Sequence, residues 1–291
     1  MRKQKKHKRI NRNMSKGGKD GNIQRGEPPN FPGQHLLHNK GIIKGIVKQA
    51  SIQREETVID FGAGKGVMTE AIAQKSNQVL AVEKDVNFLT VLERKFADNH
   101  CVKVIDQDIL RFALPKKAFV VVSNIPYAIT TPIMKTLLGN PYNHLSRALI
   151  VMEKGAAKRF TSQRIKDDYV LQWRMYFDIR IARYISKTNF APPPKVDSAL
   201  VIITRKKQPC IACQHANAFR KVVKPLLKKP DMPIGIALAQ LFTHKQLKIV
   251  RKKLGVDNQF PIGYLSERQW GMIFETIVHH VPRYIKNNSR R

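Results

Sequence analysis

Short runs of β-branched and apolar residues recur through the first two-thirds of this chain, each followed by a stretch where apolar side chains return every three or four positions. The run TVID at 57–60 breaks into a glycine-rich turn and then a helical stretch reaching position 74. QVLAV at 78–82 is followed by Phe88, Leu89, Leu92 and Phe96, one face of a helix across 86–96. Further apolar runs of strand length occupy 102–105, 118–123 and 148–152, with helical patterning at 132–138 and 154–160. Strands alternating with helices predict βαβ units, and so an α/β, doubly wound, mostly parallel sheet covered on both faces. Two later runs, 179–185 and 199–204, have no helix-length segment between them and predict an antiparallel pair at the sheet edge. After Lys207 the texture changes. Segments 234–254 and 266–281 are helical in period, the second opening with Ser266 and Gln269 as a capping box. The expected organisation is a flexible arm over 1–26, an α/β domain over 27–205 and a small helical domain over 206–291.

Charge narrows the choice of partner. The chain has 291 residues, with 53 Lys and Arg against 21 Asp and Glu, a formal net charge of +32. An excess of that size calls for an anionic partner, and phosphate neutralisation makes nucleic acid the leading one. Residues 1–26 are rich in Lys and Arg and nearly devoid of apolar side chains, a segment expected to be disordered alone and to fold onto RNA phosphates. A membrane surface would need a basic helix with a strong apolar face or a lipidation signal, and neither is found. No apolar run approaches the eighteen or so residues of a membrane span, and the basic N-terminus lacks the apolar stretch of a secretory signal. With only Cys101, Cys210 and Cys213, the chain reads as a cytoplasmic protein of a reducing compartment. Cys210 and Cys213 with His215 resemble half of a zinc site, but no second pair accompanies them, so no metal is expected. Nothing in the pattern suggests a dimerisation helix, and a monomer is expected.

The candidate chemistry begins at the glycine turn Asp60-Phe-Gly-Ala-Gly-Lys-Gly66, set between a strand and a helix. Gly62, Gly64 and Gly66 let backbone pass close beneath a ligand. The spacing G-x-G-x-G is neither the dinucleotide fingerprint nor a Walker loop. Glu83 ends the next strand, where a carboxylate can accept both ribose hydroxyls of an adenosine moiety. Asp108 follows the third strand and is positioned to accept from an adenine amino group beside the apolar Ile109. All three lie at carboxyl ends of strands, where ligands of such sheets bind.

After the fourth strand comes Ser123-Asn124-Ile125-Pro126-Tyr127, which resembles the [NDS]-x-P-[YFW] signature of the N6-adenine methyltransferases. Gly33-Gln-His-Leu-Leu-His-Asn39 is similar to the motif that lines the methionine end of that family's cofactor, through His35 and Leu37 here. Asn189-Phe-Ala-Pro-Pro-Pro-Lys-Val-Asp-Ser198 is similar to the segment before the final strand of the RNA dimethyltransferases. These motifs, with a helical C-terminal region, resemble the Erm family of 23S ribosomal RNA adenine N6-dimethyltransferases. The resemblance implies a Rossmann-like methyltransferase fold, S-adenosylmethionine as cofactor, 23S rRNA as partner and resistance to macrolide, lincosamide and streptogramin B antibiotics as outcome. It makes 27–205 the cofactor-binding catalytic domain.

The motif has a physical logic of its own. An adenine amino nitrogen is a poor nucleophile because its lone pair is delocalised into the ring. Acceptors aimed at the amino hydrogens, the Asn124 side-chain oxygen and the Ile125 carbonyl, favour a pyramidal nitrogen with a localised pair. Pro126 stiffens the turn, Tyr127 stacks on the extruded base, and Phe190 is the candidate for the opposite face. Asn124 also borders the cofactor. Basic residues including Lys154, Lys158 and Arg159 are candidates for RNA contact. Two other readings stay open: the sister family that dimethylates adenines of small-subunit (16S) rRNA, and a catalytically silent RNA-binding protein on the same fold.

Overall fold

The computed structural model describes residues 35–280; the arm expected over 1–26 lies outside them. The described chain opens with a short strand β1 (Leu36–Leu37) and a helix α1 (Lys40–Ala50) that the sequence pattern had not singled out. Asn39 caps α1 by accepting from Ile42 N at 3.1 Å, and Ile43, Ile46, Val47 and Ala50 form its buried stripe. Then follow β2 (Thr57–Phe61), α2 (Val67–Ala73), β3 (Gln78–Glu83), α3 (Val86–Phe96), β4 (Val102–Asp106) and β5 (Phe119–Asn124). The chain continues through α4 (Thr130–Leu138), β6 (Leu145–Glu153), α5 (Lys154–Thr161), α6 (Asp168–Tyr176) and β7 (Phe177–Ile185). It closes with β8 (Phe190–Ala191), β9 (Ser198–Arg205), α7 (Ala216–Leu226), α8 (Ile234–Ala239), α9 (His244–Leu254) and α10 (Glu267–His280).

Seven strands form one sheet in the order β4-β3-β2-β5-β6-β9-β7. The first five are parallel, and β9 runs antiparallel to both β6 and β7. The expected antiparallel pair is present, but β9 is interior and only β7 is the edge. Both faces are covered, which is why the strands read as continuous apolar runs. Val58, Val79, Val120, Leu149 and Leu200 point to the side of α1 and α2. Ile59, Phe61, Val121, Ile150 and Val201 belong to the other core, which they share with Trp173 of α6, Phe219 of α7 and Trp270 of α10. None of the described helices is long and apolar enough to cross a membrane.

One expected helix is in fact two. The stretch read as continuous over 234–254 breaks between α8 and α9, because Thr243 caps α9 in a box with Gln246. At α10 the expected box holds: Gln269 N donates to Ser266 Oγ at 3.3 Å and Ser266 N to Gln269 Oε1 at 2.9 Å.

From β2 the chain winds outward to β4 and then returns to β5 on the other side of β2, so the switch of winding direction lies between β2 and β5. There the two strands separate. Their pairing stops at Ile59 opposite Val121, while β2 stays paired with β3 as far as Phe61 and β5 with β6 as far as Asn124. The buried Ser123 hydroxyl fills the gap, accepting from Phe61 N at 2.8 Å and donating to Ile59 O at 3.4 Å. Replacing Ser123 with Ala strands the Phe61 N–H and is expected to cost about 1–3 kcal/mol. Denaturant unfolding measures this, and an unchanged midpoint would refute it.

Candidate active site

The cleft opens where β2 and β5 part. Its floor is the glycine turn after β2, which Gly62 and Gly64 traverse at φ of 68° and 53°. A Cβ on Gly62 would stand 3.2 Å from Pro126 Cδ, and one on Gly64 would stand 2.9 Å from Leu36 Cδ2, so a side chain at either would fill the space between the three segments. Gly66 differs from the expectation. It begins α2 with its back against Leu92 and Phe96 and does not line the cleft.

Glu83, at the end of β3, is held by backbone. Its Oε2 accepts from Gly64 N at 2.9 Å, and its Oε1 from Lys84 N at 2.9 Å and Asp85 N at 3.1 Å. The carboxylate thus fixes the turn while remaining part of the cleft wall. Asp108 accepts from Leu110 N at 2.9 Å and faces Lys84 Nζ at 3.3 Å. The Leu110 N–H first, and Lys84 after it, hold the Asp108 carboxyl below the usual carboxylate range. Ile109 lies beside it, buried, and completes an edge of apolar and acidic character.

Across the cleft, Asn124 ends β5. Its Nδ2 donates to the His35 carbonyl at 2.7 Å, which leaves Oδ1 buried without a hydrogen-bond partner. An acceptor stripped of water and left open is costly, and it fits a ligand that brings a donor. Ile125 anchors the turn: its side chain is buried and its N–H donates to Val151 O at 3.2 Å. The Tyr127 ring lies 5.4 Å from the His35 ring, and its hydroxyl is bonded to the buried Ser198 at the start of β9. Burial pushes the Tyr127 phenol up to about 12, against the opposing pull of the Ser198 bond. His35 Nδ1 lies 2.8 Å from Pro192 O; a carbonyl only accepts, so this nitrogen carries the proton.

The structure brings His35, Gly62, Gly64, Glu83, Asp108, Ile109, Asn124 and Ile125 to one cleft. Two expectations are corrected by the ribbon of β1 and β8, in which Leu37 pairs with Phe190 and Leu36 with Ala191. Successive strand residues point to opposite sides. Leu36 therefore lines the cleft, and Leu37 turns into the core. Phe190 goes with it: at 2% exposure its ring packs in that core and is not part of the cleft wall. Lys84, Phe88 and Ile129 complete the lining without having been expected. No motif marks them; they follow strand ends or begin helices whose placement depends on the sheet. Of the basic residues expected at RNA, Lys154 pairs with Asp197 at 3.7 Å and Arg159 with Asp167 at 4.0 Å.

Asp60, which no motif marks as perturbed, is set apart by its burial. It is fully buried beneath the turn, with Thr69 Oγ1 donating to its Oδ2 at 2.7 Å. Burial pushes its carboxyl up to about 7, the Glu83 charge adding to the rise and the Thr69 bond opposing it.

Known proteins resemble this chain over most of its length. A family described as ribosomal RNA adenine dimethylase matches residues 30–279. An rRNA adenine N-6-methyltransferase of Bacillus licheniformis is 53% identical over 262 residues, 90% of this chain and 91% of that protein. A ribosomal RNA small subunit methyltransferase A of Latilactobacillus sakei is 34% identical over 206 residues, 66% of this chain and 68% of that one. The crystal structure of the 23S rRNA methyltransferase ErmE superposes with a TM-score of 0.74 at 23% identity, covering 82% of this chain and 98% of that one. It shares the fold.

The raised Asp60 carboxyl has a consequence for stability. Its folded value of about 7 exceeds the unfolded value of roughly 3.9, so the folded protein holds the extra proton between them. Stability from this group is present below about pH 4 and is lost as pH rises through 7. Asp60→Asn, which still accepts from Thr69, is expected to be more stable than the parent above pH 8 by on the order of 3–4 kcal/mol and to lack that slope. Unfolding curves of both proteins from pH 5 to 9 provide the check. Parallel profiles would overturn it.

Proposed function

The chain belongs to the ribosomal RNA adenine dimethylase family and is an rRNA adenine N6-methyltransferase; we propose that it takes its methyl groups from S-adenosylmethionine and dimethylates one adenine of 23S rRNA. It works as a monomer in the cytoplasm, and the modified base blocks macrolide, lincosamide and streptogramin B antibiotics. The observation that carries the chemistry is the buried, unpartnered Oδ1 of Asn124 in the cleft wall.

When bound, the cofactor supplies an electrophilic methyl group on a sulfonium. Its ribose fits Glu83, whose carboxylate is already oriented by three backbone N–H groups. Its adenine fits the edge made by Asp108 and Ile109. Its methionine end fits the crowded contact of Gly62, Gly64 and Leu36, where side chains larger than glycine would fill the space. The protein then needs no strong general base. Asn124 Oδ1 and the Ile125 carbonyl accept from the amino hydrogens of the target adenine, localise its lone pair and align it with the methyl carbon. Tyr127, kept as a neutral phenol and fixed by Ser198, offers its ring to the extruded base. The free-standing acceptor explains why the Asn124 amide must not flip. Its nitrogen is tied to the His35 carbonyl, so its oxygen alone can serve the substrate.

The resemblance of the motifs at 33–39, 123–127 and 189–198 to the Erm family favours 23S RNA over 16S RNA as the target. The small-subunit relative aligns at lower identity and over a smaller share of the chain than the Bacillus licheniformis protein. Labelled methyl transfer to purified 23S and 16S RNA, followed by nucleoside analysis, tests this: dimethyladenosine in 23S alone is expected, and label in 16S alone would move the activity to the small subunit. Asn124→Ala is expected to lower kcat by a factor of about a hundred or more, as loss of one aligned acceptor does elsewhere. The variant should still bind RNA. Retention of near-full kcat would remove Asn124 from the mechanism.

A further inference from the structure

Away from the cleft, and sharing no lining residue with it, a cavity of about 550 Å³ opens between α8, α9 and the segment at 258–259. That volume suits a small organic ligand of nucleotide size. Its composition is divided. Ile236 and Leu247 give it an apolar wall, of which Ile236 is 60% exposed. His244, Lys248 and Arg251, at successive turns of α9, give it a basic wall, and Asn258 adds an amide. No carboxylate is among the residues that line it.

Arg251 sharpens the reading. Its Nε is buried and has no hydrogen-bond partner, although a buried guanidinium N–H left without an acceptor is costly. The rim opposite is tied to α8: Gly235 N donates to Asn258 O at 3.1 Å, and a Cβ on Gly235 would stand 2.9 Å from Asn258 Oδ1. The cavity therefore combines cations for a phosphate, an amide for a base edge and an apolar wall for a base face. A free inorganic anion would use only the first. Unpaired nucleotides of RNA use all three.

We propose that this cavity binds an unpaired nucleotide of the RNA substrate, its phosphate against Lys248 and Arg251 and its base against Ile236 and Leu247. The assignment rests on RNA being the substrate. It makes the helical region a second grip on RNA, separate from the one on the target adenine.

The experiment compares the full chain with Lys248→Glu, Ile236→Ala and, as an equal charge change elsewhere on the surface, Lys75→Glu. Each is measured for RNA affinity across a salt series and for KM and kcat in methyl transfer to 23S RNA. Lys248→Glu is expected to raise the RNA Kd and KM about tenfold and to flatten the salt slope by about one. Ile236→Ala, which removes no charge, is expected to raise Kd about threefold with the slope unchanged. In both, kcat at saturating RNA stays at the parent level, which also shows that the variants are folded. If Lys248→Glu behaves like Lys75→Glu while the parent methylates RNA, the cavity is not an RNA site. If the parent transfers no methyl to any RNA, the function on which the site rests has failed, and the site with it. Weakened binding to assembled ribosomal subunits but not to naked RNA would assign the cavity to a protein partner and overturn the proposal.

Discussion

The cleft exists because β2 and β5 stop pairing at Ile59 and Val121, two residues before β2 leaves β3 and three before β5 leaves β6, and Ser123 absorbs the loss. Buried backbone groups cannot simply be released from a sheet; each needs another partner. One hydroxyl, buried and doubly bonded, satisfies the Phe61 N–H and the Ile59 carbonyl where the backbone ladder to β5 ends. The strands can then diverge, one into the glycine turn and the other into Asn124. Every other feature of the site is built on the two edges of that opening.

On the first edge the turn is fixed electrostatically. Glu83 reaches from β3 to the Gly64 N–H while accepting two further backbone bonds from its own strand end. Asp60, beneath the turn, is forced toward neutrality by burial and by the nearby Glu83 charge. One carboxylate is thus held by three backbone donors, and its buried neighbour has its carboxyl raised well above the usual carboxylate range. On the second edge the Asn124 amide binds the His35 carbonyl, so the short ribbon of β1 and β8 is fastened to the end of β5. Asn39 of the α1 cap donates to the Asn189 side chain at 2.8 Å and ties the same ribbon to the helix behind it. The unpartnered Asn124 oxygen is therefore a by-product of how the ribbon is moored.

The helical region after Arg205 is not a loose appendage among the described residues. Lys206 N donates to Tyr176 O at 2.9 Å and Cys210 N to Met175 O at 2.9 Å, and the side chains of α7 and α10 share a core with one face of the sheet. Arg205 itself donates to the carbonyls of Leu145, Pro141 and Asn143 while lying over the Phe177 ring at 4.5 Å. A surface on α8 and α9 is consequently held in a defined relation to the cleft, as a second RNA contact requires.

The alternation of apolar runs with helical spacing, the glycine turn, Glu83, Asp108 and Asn-Ile-Pro-Tyr were legible in the chain because each is set by local geometry at a strand end. Strand ends of a doubly wound sheet gather at one crevice whatever the details, so the sequence alone determined the fold class and most of the cleft wall. It did not determine which way Leu36 and Leu37 point, because side-chain alternation follows from pairing with Phe190 and Ala191, more than 150 positions away in the chain. For the same reason it could not show that Phe190 is core. The break between α8 and α9 was written in Thr243 and Gln246, but the apolar period ran through it and hid the cap. The titration of Asp60, the role of Ser123 and the free oxygen of Asn124 were decided only by tertiary structure. Each depends on burial and on a partner from another element, quantities that no spacing of residues contains.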